Sequence, residues 1–342
     1  MSNAQREIFS QYDALEKTKN LLSEQKEEIK SILGHKNDFV FFGCGSSYSI
    51  AKSGAAIAGM YGAGKAAAVA AGDYIINYTS YRKMLDNSCV VMISRSGMTT
   101  EMIIAAQYIK QYNPDTTIVS ICATADAPIK QYADYSIEIP WAFDVSICQT
   151  RTISNLYMAI ALMLGAIYND SKLYDDFSDL ISRGEKHLEL SNKLVSPLSK
   201  REWVNSVVLA DAQTAGIAEE GALAFNEICM RRSNYYHVLD SRHGPMVLFD
   251  ENTLVIVLLS SAESEKQTAL LADIKKRGSC LLCVSSDDSF KEADILVKIP
   301  DYNHIVKGVA LLNVIQVLTL AISVESGVDP DKPTGLDPWI KL

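Results

Sequence analysis

Apolar residues along this chain fall in short runs, and most runs are followed by a stretch with helical spacing. "DFVFFG" (38–43), "CVVMIS" (89–94), "TTIVSICAT" (116–124) and "YSIEIP" (135–140) predict strands. Ahead of them, residues 5–34 set Ile8, Leu15, Leu21, Leu22, Ile29, Ile32 and Leu33 among charged positions. That spacing predicts one helix, stopped by Gly34. "CGSSYS" leads into an Ala-rich helix, "IAKSGAAIAGMYGAG", and "TISNLYMAIALMLGAIY" (152–168) predicts a long apolar helix.

The order then recurs. "NSVVLAD" (205–211), "TLVIVLLS" (253–260), "CLLCVSS" (280–286) and "ADILVKIP" (293–300) predict strands, and "VKGVALLNVIQVLTLAIS" (306–323) a closing helix. Val90 to Pro140 overlays Leu254 to Pro300 as strand, helix, strand, short helix, then a strand ending in Ile-Pro. Strands alternating with helices imply parallel sheets covered on both faces. The pattern predicts two tandem αβα sandwiches, with a border in the charged helical stretch of about 172–200. One large α/β domain is the other arrangement it allows.

The chain's 342 residues suit two domains, and 48% apolar content suits a large core. No low-complexity tract or long charge run suggests disorder. The purely apolar stretches are strand-sized, and the opening Met1-Ser2-Asn3-Ala4 resembles a tag remnant rather than a signal peptide. No membrane association is expected. Seven scattered cysteines predict reduced core thiols and a cytoplasmic setting. Cys280-Leu-Leu-Cys283 has CxxC spacing but sits in a strand-like run, which favours the core over a metal or redox site. The five histidines lack metal-ligand spacing, so no metal is expected. A net charge of −9 argues against nucleic acid but not against a small anion, which backbone N–H groups can capture locally.

The candidate chemistry lies where strands become helices. Ser94-Arg95-Ser96-Gly97-Met98-Thr99 follows a strand and opens a helix, and Gly43-Cys44-Gly45-Ser46-Ser47 does the same. In open α/β sheets, ligands sit beyond the carboxyl ends of the strands. A helix N-terminus there offers unpaired N–H groups and a positive dipole end. The hydroxyls add donors without charge, and Gly97 permits close backbone approach. One capped helix needs one hydroxyl, whereas two hydroxyl-rich junctions suit a phosphate monoester. The matching junctions of the second half, "LADAQTAG" (209–216) and "LSSAESEK" (259–266), lack this arrangement. One phosphate site is expected, in the first half.

"FGCGSSY", "SRSGMTTE", "VSICQTRTIS", "EEGALAFNEI" and "RHGPMVLFD" occur in the order found in double sugar-isomerase (SIS) domain proteins. The chain resembles the isomerase half of glucosamine-6-phosphate synthase. It is closer in style to stand-alone tagatose-6-phosphate/galactosamine-6-phosphate isomerases and fructosamine-6-phosphate deglycases. The resemblance implies two SIS domains with parallel, flavodoxin-like sheets, spanning 36–175 and 201–328. A helix over 1–35, a connector over 176–200 and a tail over 329–342 complete the expected order.

The resemblance also implies roles. Gly45, Ser46, Ser47, Ser94, Arg95, Ser96 and Thr99 fall on the phosphate-binding loops. Ile147, Gln149 and Thr150 fall on the loop lining the sugar pocket. Glu227 falls on the glutamate that moves a proton between C1 and C2, and His243 on the histidine that opens the ring. Glu220 also falls on a family glutamate. In the synthase the histidine comes from the neighbouring subunit, so a homodimer with shared active sites is implied. A carboxylate base and a group titrating near neutrality suit aldose–ketose chemistry, which needs no cofactor. Read without the resemblance, Glu227 is a helix-surface carboxylate and His243 a loop histidine.

Three departures stand out. Ala224 replaces the synthase's Schiff-base lysine, and Pro338, with Lys341 nearby, stands where its tail carries another. Ala210-Asp211-Ala212 lacks the glycines of that junction. No glutaminase domain is expected ahead of the isomerase-like half. The expected activity is isomerisation, deamination or deglycation of a phosphorylated sugar or amino sugar, not glutamine-dependent amidotransfer by the chain itself. The alternative is a sugar-phosphate sensor without turnover.

Overall fold

A computed structural model describes residues 1–260 and 262–336. The helices are α1 (Asn3–Phe9), α2 (Gln11–Glu24), α3 (Lys26–Leu33), α4 (Ser46–Met60), α5 (Ala71–Leu85) and α6 (Thr100–Tyr112). They continue with α7 (Arg151–Ile167), α8 (Ser171–Ser182), α9 (Gly184–Val195), α10 (Ala215–Ile228), α11 (Ser264–Lys276) and α12 (His304–Ser326). The strands are β1 (Asp38–Gly43), β2 (Lys65–Ala70), β3 (Cys89–Ser94), β4 (Thr117–Cys122) and β5 (Tyr135–Glu138). Then come β6 (Asn205–Leu209), β7 (Ser233–Tyr236), β8 (Thr253–Leu258), β9 (Cys280–Ser285) and β10 (Ile295–Lys298).

The strands form two five-stranded, wholly parallel sheets, ordered β2-β1-β3-β4-β5 and β10-β9-β8-β6-β7. Counted within each sheet, the order is the same, 2-1-3-4-5, the flavodoxin-like winding. The expected α/β architecture is therefore present, and the topology is duplicated. The described residues divide into two compact units. The first-sheet unit holds 10–145 and 149–181; the second-sheet unit holds 182–336 with 1–9 and 146–148.

In the first-sheet unit, strand alternation splits the core. Val40, Phe42, Val90 and Met92 pack with Tyr74, Met102, Ala105 and Ile109 of α5 and α6. On the other face, α4 comes close enough that a Cβ on Gly54 would meet Phe41 at 2.8 Å and Ile160 of α7 at 3.0 Å. In the second-sheet unit, Val207, Val255, Val257 and Leu281 pack with Leu270, Leu271 and Ile274 of α11. α10 lies over the opposite face, where a Cβ on Gly221 would be 2.5 Å from Ile315 of α12. By length and hydropathy α12 could cross a membrane, but 94% of its apolar window is buried in the fold. That burial accounts for a helix apolar on every side.

Four details differ from the sequence expectations. Residues 3–33 are three helices, broken at Ser10 (φ −105°, ψ 9°) and Gln25 (φ −85°, ψ 0°). β2 and β7 are additional strands. Both lie at sheet edges, and "KAAAVA" and "SNYY" carry weak strand signals. The short helix between the last two strands exists in the first unit, at Pro128–Tyr132, while residues 286–294 contain none. β5 and β10 stop short of their Ile-Pro ends.

Candidate active site

β1 and β3 are hydrogen-bonded neighbours at the point where the first sheet's strand order reverses. Their carboxyl ends run straight into α4 and α6. Neither N-cap residue, Gly45 or Thr99, bonds its helix through its side chain, but in α4 the Ser47, Tyr48 and Ser49 N–H groups already donate to the Cys44 and Gly45 carbonyls, so that end offers an anion the helix dipole rather than a full turn of open N–H groups. Ser46, Ser47, Ser94, Arg95 and Ser96 are all buried, and Thr99 is half-buried as the residue before α6.

The hydroxyls have defined orientations. Ser94 Oγ accepts from the Gly97 N–H at 3.0 Å, and Ser96 Oγ accepts from the Met98 N–H at 3.2 Å. Each oxygen is thus turned by its own loop, while each hydroxyl keeps one proton to donate. Gly97 holds φ +61°, and a Cβ there would be 2.5 Å from Ala127 Cβ. No other residue fits without displacing the next loop. The Arg95 carbonyl accepts from the Ala123 N–H at 3.1 Å and from Thr124 Oγ1 at 3.2 Å, which ties this loop to the end of β4. The Arg95 guanidinium lies 5.8 Å from the centre of the Phe143 ring. Gly45, at φ +51°, is exposed, with open space where a Cβ would be.

Cys44 sits between these features. Burial, reinforced by the Glu101 carboxylate, pushes its thiol up to about 12, so it is not a nucleophile at neutral pH. Cys283 is likewise raised to about 12 by burial, and Cys280 to about 11. At i and i+3 of one strand these two side chains point to opposite faces, which suits neither a disulfide nor a shared metal. No cluster suited to a metal ion occurs among the described residues.

The loop before α7 is organised by Asp144, which sequence inspection did not single out. Its Oδ2 accepts from the N–H groups of Thr150 and Thr152 at 2.7 and 2.8 Å, and Arg151 Nε lies 3.5 Å from Oδ1. The N-terminus of α7 is therefore closed by an internal carboxylate, unlike α4 and α6. Thr150 is buried; Gln149 is half-buried, with its Oε1 enclosed and lacking a hydrogen-bond partner among the described residues. An amide oxygen so placed can accept from a ligand hydroxyl.

Ile147, Glu220, Glu227 and His243 belong to the second-sheet unit. Glu220, Ala224 and Glu227 form one stripe of α10, at spacings of four and three. Glu220 and Ala224 are buried; Glu227, in the last turn, is half-buried. His243 is exposed on a loop, between the 3-10 turns Leu239–Arg242 and Pro245–Leu248.

Positive φ occurs at the second unit's junctions on residues other than glycine, at Ala212 (+55°) and Glu263 (+53°). Gln267 of α11 fills the second junction. Its Oε1 accepts from the Ser260 N–H at 2.9 Å, and its Nε2 donates to the Ser260 and Ala262 carbonyls. This loop is stapled to its own helix. Residue 261 and the tail residues Pro338 and Lys341 lie outside the described residues.

The SIS domain family model matches residues 32–166. That segment is similar to a SIS domain. Over 356 residues the chain is 27% identical to a glutamine–fructose-6-phosphate aminotransferase (isomerizing) of Wigglesworthia glossinidia brevipalpis. The match covers 97% of this chain and 57% of that protein, so the chain spans little more than half of the relative's length. The fold is similar to that of glucosamine-6-phosphate deaminase from Thermotoga maritima, with a TM-score of 0.83, 22% identity and full coverage of both chains. It is also similar to tagatose-6-phosphate ketose/aldose isomerase from Escherichia coli, with a TM-score of 0.84, 21% identity and coverage of 99% and 98%.

Proposed function

We propose that this protein is an enzyme acting on a phosphorylated sugar or amino sugar, moving a proton between C1 and C2. The observation that carries the reading is the set of buried hydroxyls at the N-termini of α4 and α6, with Ser94 and Ser96 already turned by their own loop. Ser47, Ser94, Ser96 and Thr99 donate to the phosphate, with Arg95 supplying positive charge. Holding the phosphate converts binding into orientation of the carbons to be deprotonated.

Glu227 is the base in this reading. It takes the proton from one carbon of the open-chain sugar and returns it to the next, through an enediol or, with an amine present, an enamine. His243 moves a proton between the ring oxygen and the anomeric hydroxyl to open the ring. Isomerisation, deamination and deglycation diverge only after this shared step. The aminotransferase-type relative supports the substrate class, and the repeated strand order supports reading the second unit as a further copy of the domain. His243 is exposed beside Val247 and Leu248, which are 73% and 64% exposed. That apolar surface supports a homodimer in which the histidine serves a neighbouring copy.

Calorimetric titration with hexose and hexosamine 6-phosphates, and with the same sugars lacking phosphate, tests the reading. A phosphorylated sugar should bind, its unphosphorylated counterpart should not, and Ser96→Ala should weaken the former by roughly tenfold or more. Equal affinity with and without phosphate overturns the cradle. Binding with no turnover of any sugar would make the protein a sensor.

A further inference from the structure

α1 is joined to the segment Ser146–Cys148 by a buried carboxylate. Glu7 is only 4% exposed. Its Oε1 accepts from the Ser146 N–H at 3.2 Å, and its Oε2 accepts from the Ser146 hydroxyl. The opposite side of the segment is held by Asp331, whose carbonyl accepts from the Ile147 N–H at 3.1 Å. The Asp331 carboxylate, in turn, accepts from the N–H groups of Asn3 and Ala4, both at 2.7 Å, at the start of α1. Helix, segment and Asp331 thus close a ring within the second-sheet unit.

We propose that Glu7 is a positioning residue for the sugar end of the substrate: it holds Ile147 and its neighbours in the conformation the pocket requires. This rests on the reading of that loop as pocket lining. A carboxylate buried at this depth costs several kcal/mol to desolvate unless hydrogen bonds replace the lost water. Two of its bonds go to one residue, Ser146, so this desolvation is spent on fixing that stretch of chain. The phosphate cradle, in the first-sheet unit, takes no part in these bonds.

Gln at position 7 preserves the connections. Its oxygen accepts from the Ser146 N–H, and its NH₂ donates to Ser146 Oγ. That frees the serine proton for the Cys148 carbonyl, already 3.0 Å away. Ala makes none of these bonds.

The test compares wild type, Glu7→Gln and Glu7→Ala as full chains. Affinities for inorganic phosphate and for a sugar phosphate that binds wild type are measured, with amide exchange at 146–148. Glu7→Ala should weaken the sugar phosphate by about tenfold and inorganic phosphate by less than about twofold, and exchange at 146–148 should quicken. Glu7→Gln should stay within about threefold of wild type on both. Parallel weakening of both ligands, unchanged sugar-phosphate affinity, or Glu7→Gln behaving like Ala overturns the proposal. If wild type binds no sugar phosphate, the functional reading fails. The brace is then judged by exchange alone, and equal exchange in Glu7→Ala and wild type overturns it.

Discussion

Gly97 and Glu263 hold the same left-handed backbone, φ +61° and +53°, each in the turn after the third strand of its sheet. One turn accepts that conformation freely and is packed against Ala127; the other accepts it with an L side chain paired to Lys266. Gly97→Ala should destabilise the protein by roughly 1–3 kcal/mol through positive φ and the contact with Ala127. It should also abolish phosphate binding. Glu263→Gly should raise the melting midpoint and leave phosphate affinity untouched. Urea unfolding and phosphate titration of the two variants check both statements.

Ser47 and Ser94 should separate binding from stability. Ser94 Oγ accepts from the Gly97 N–H, so Ser94→Ala leaves that donor unpaired, costing about 1–3 kcal/mol of stability as well as affinity. Ser47 lies in the first turn of α4, and Ser47→Ala should lower affinity for a sugar phosphate roughly tenfold with a stability change under about 1 kcal/mol. Denaturation midpoints and binding isotherms, measured on the same samples, decide this.

Asp144 should behave as a structural anion. Asp144→Ala removes the acceptor for the Thr150 and Thr152 N–H groups and the carboxylate beside Arg151, which keeps its bond to the Phe143 carbonyl, costing about 2–4 kcal/mol. Asp144→Asn keeps an acceptor oxygen and should cost clearly less. A loss in Asn as large as in Ala would show that charge, rather than hydrogen bonding, closes α7.

Acid should weaken the fold through His187. Burial lowers its pKa below the usual 6.5, and Nε2 lies 3.2 Å from the Ala310 carbonyl, so the neutral ring donates there. The unfolded chain takes up a proton as pH drops through about 6.5, while the folded chain resists until its lower pKa is reached. The contribution is therefore complete above the unfolded value and declines as pH falls below it. His304, also lowered by burial, acts in the same direction. The melting midpoint should fall from pH 7 to pH 5, and less steeply in His187→Gln; equal slopes would remove His187 from the account.

Much of this was legible in the sequence because the signals were local. β3, "CVVMIS", is buried at every position, so it reads as a continuous apolar run. The hydroxyl clusters were legible because strand, glycine and helix start lie within a few residues. β2 and β7 were not, since an edge strand draws its stability from one neighbour rather than from its own side chains. The breaks at Ser10 and Gln25 interrupt sequence with good helical propensity, so tertiary packing overrides a local preference. Glu7 and Asp144 were missed for another reason. Glu7 acts 139 residues away, and Asp144 caps a helix from six residues upstream, outside any local capping spacing.

The central claim is that Glu227 moves a proton on a phosphorylated sugar. Its most direct test is hydrogen–deuterium exchange at C1 and C2 in deuterated water, followed by NMR, for wild type and Glu227→Gln on a sugar phosphate that both bind. The account predicts exchange at C1 or C2 in wild type and its loss in Glu227→Gln, with affinity retained. Undiminished exchange in Glu227→Gln, or none in wild type with every sugar phosphate bound, would contradict it.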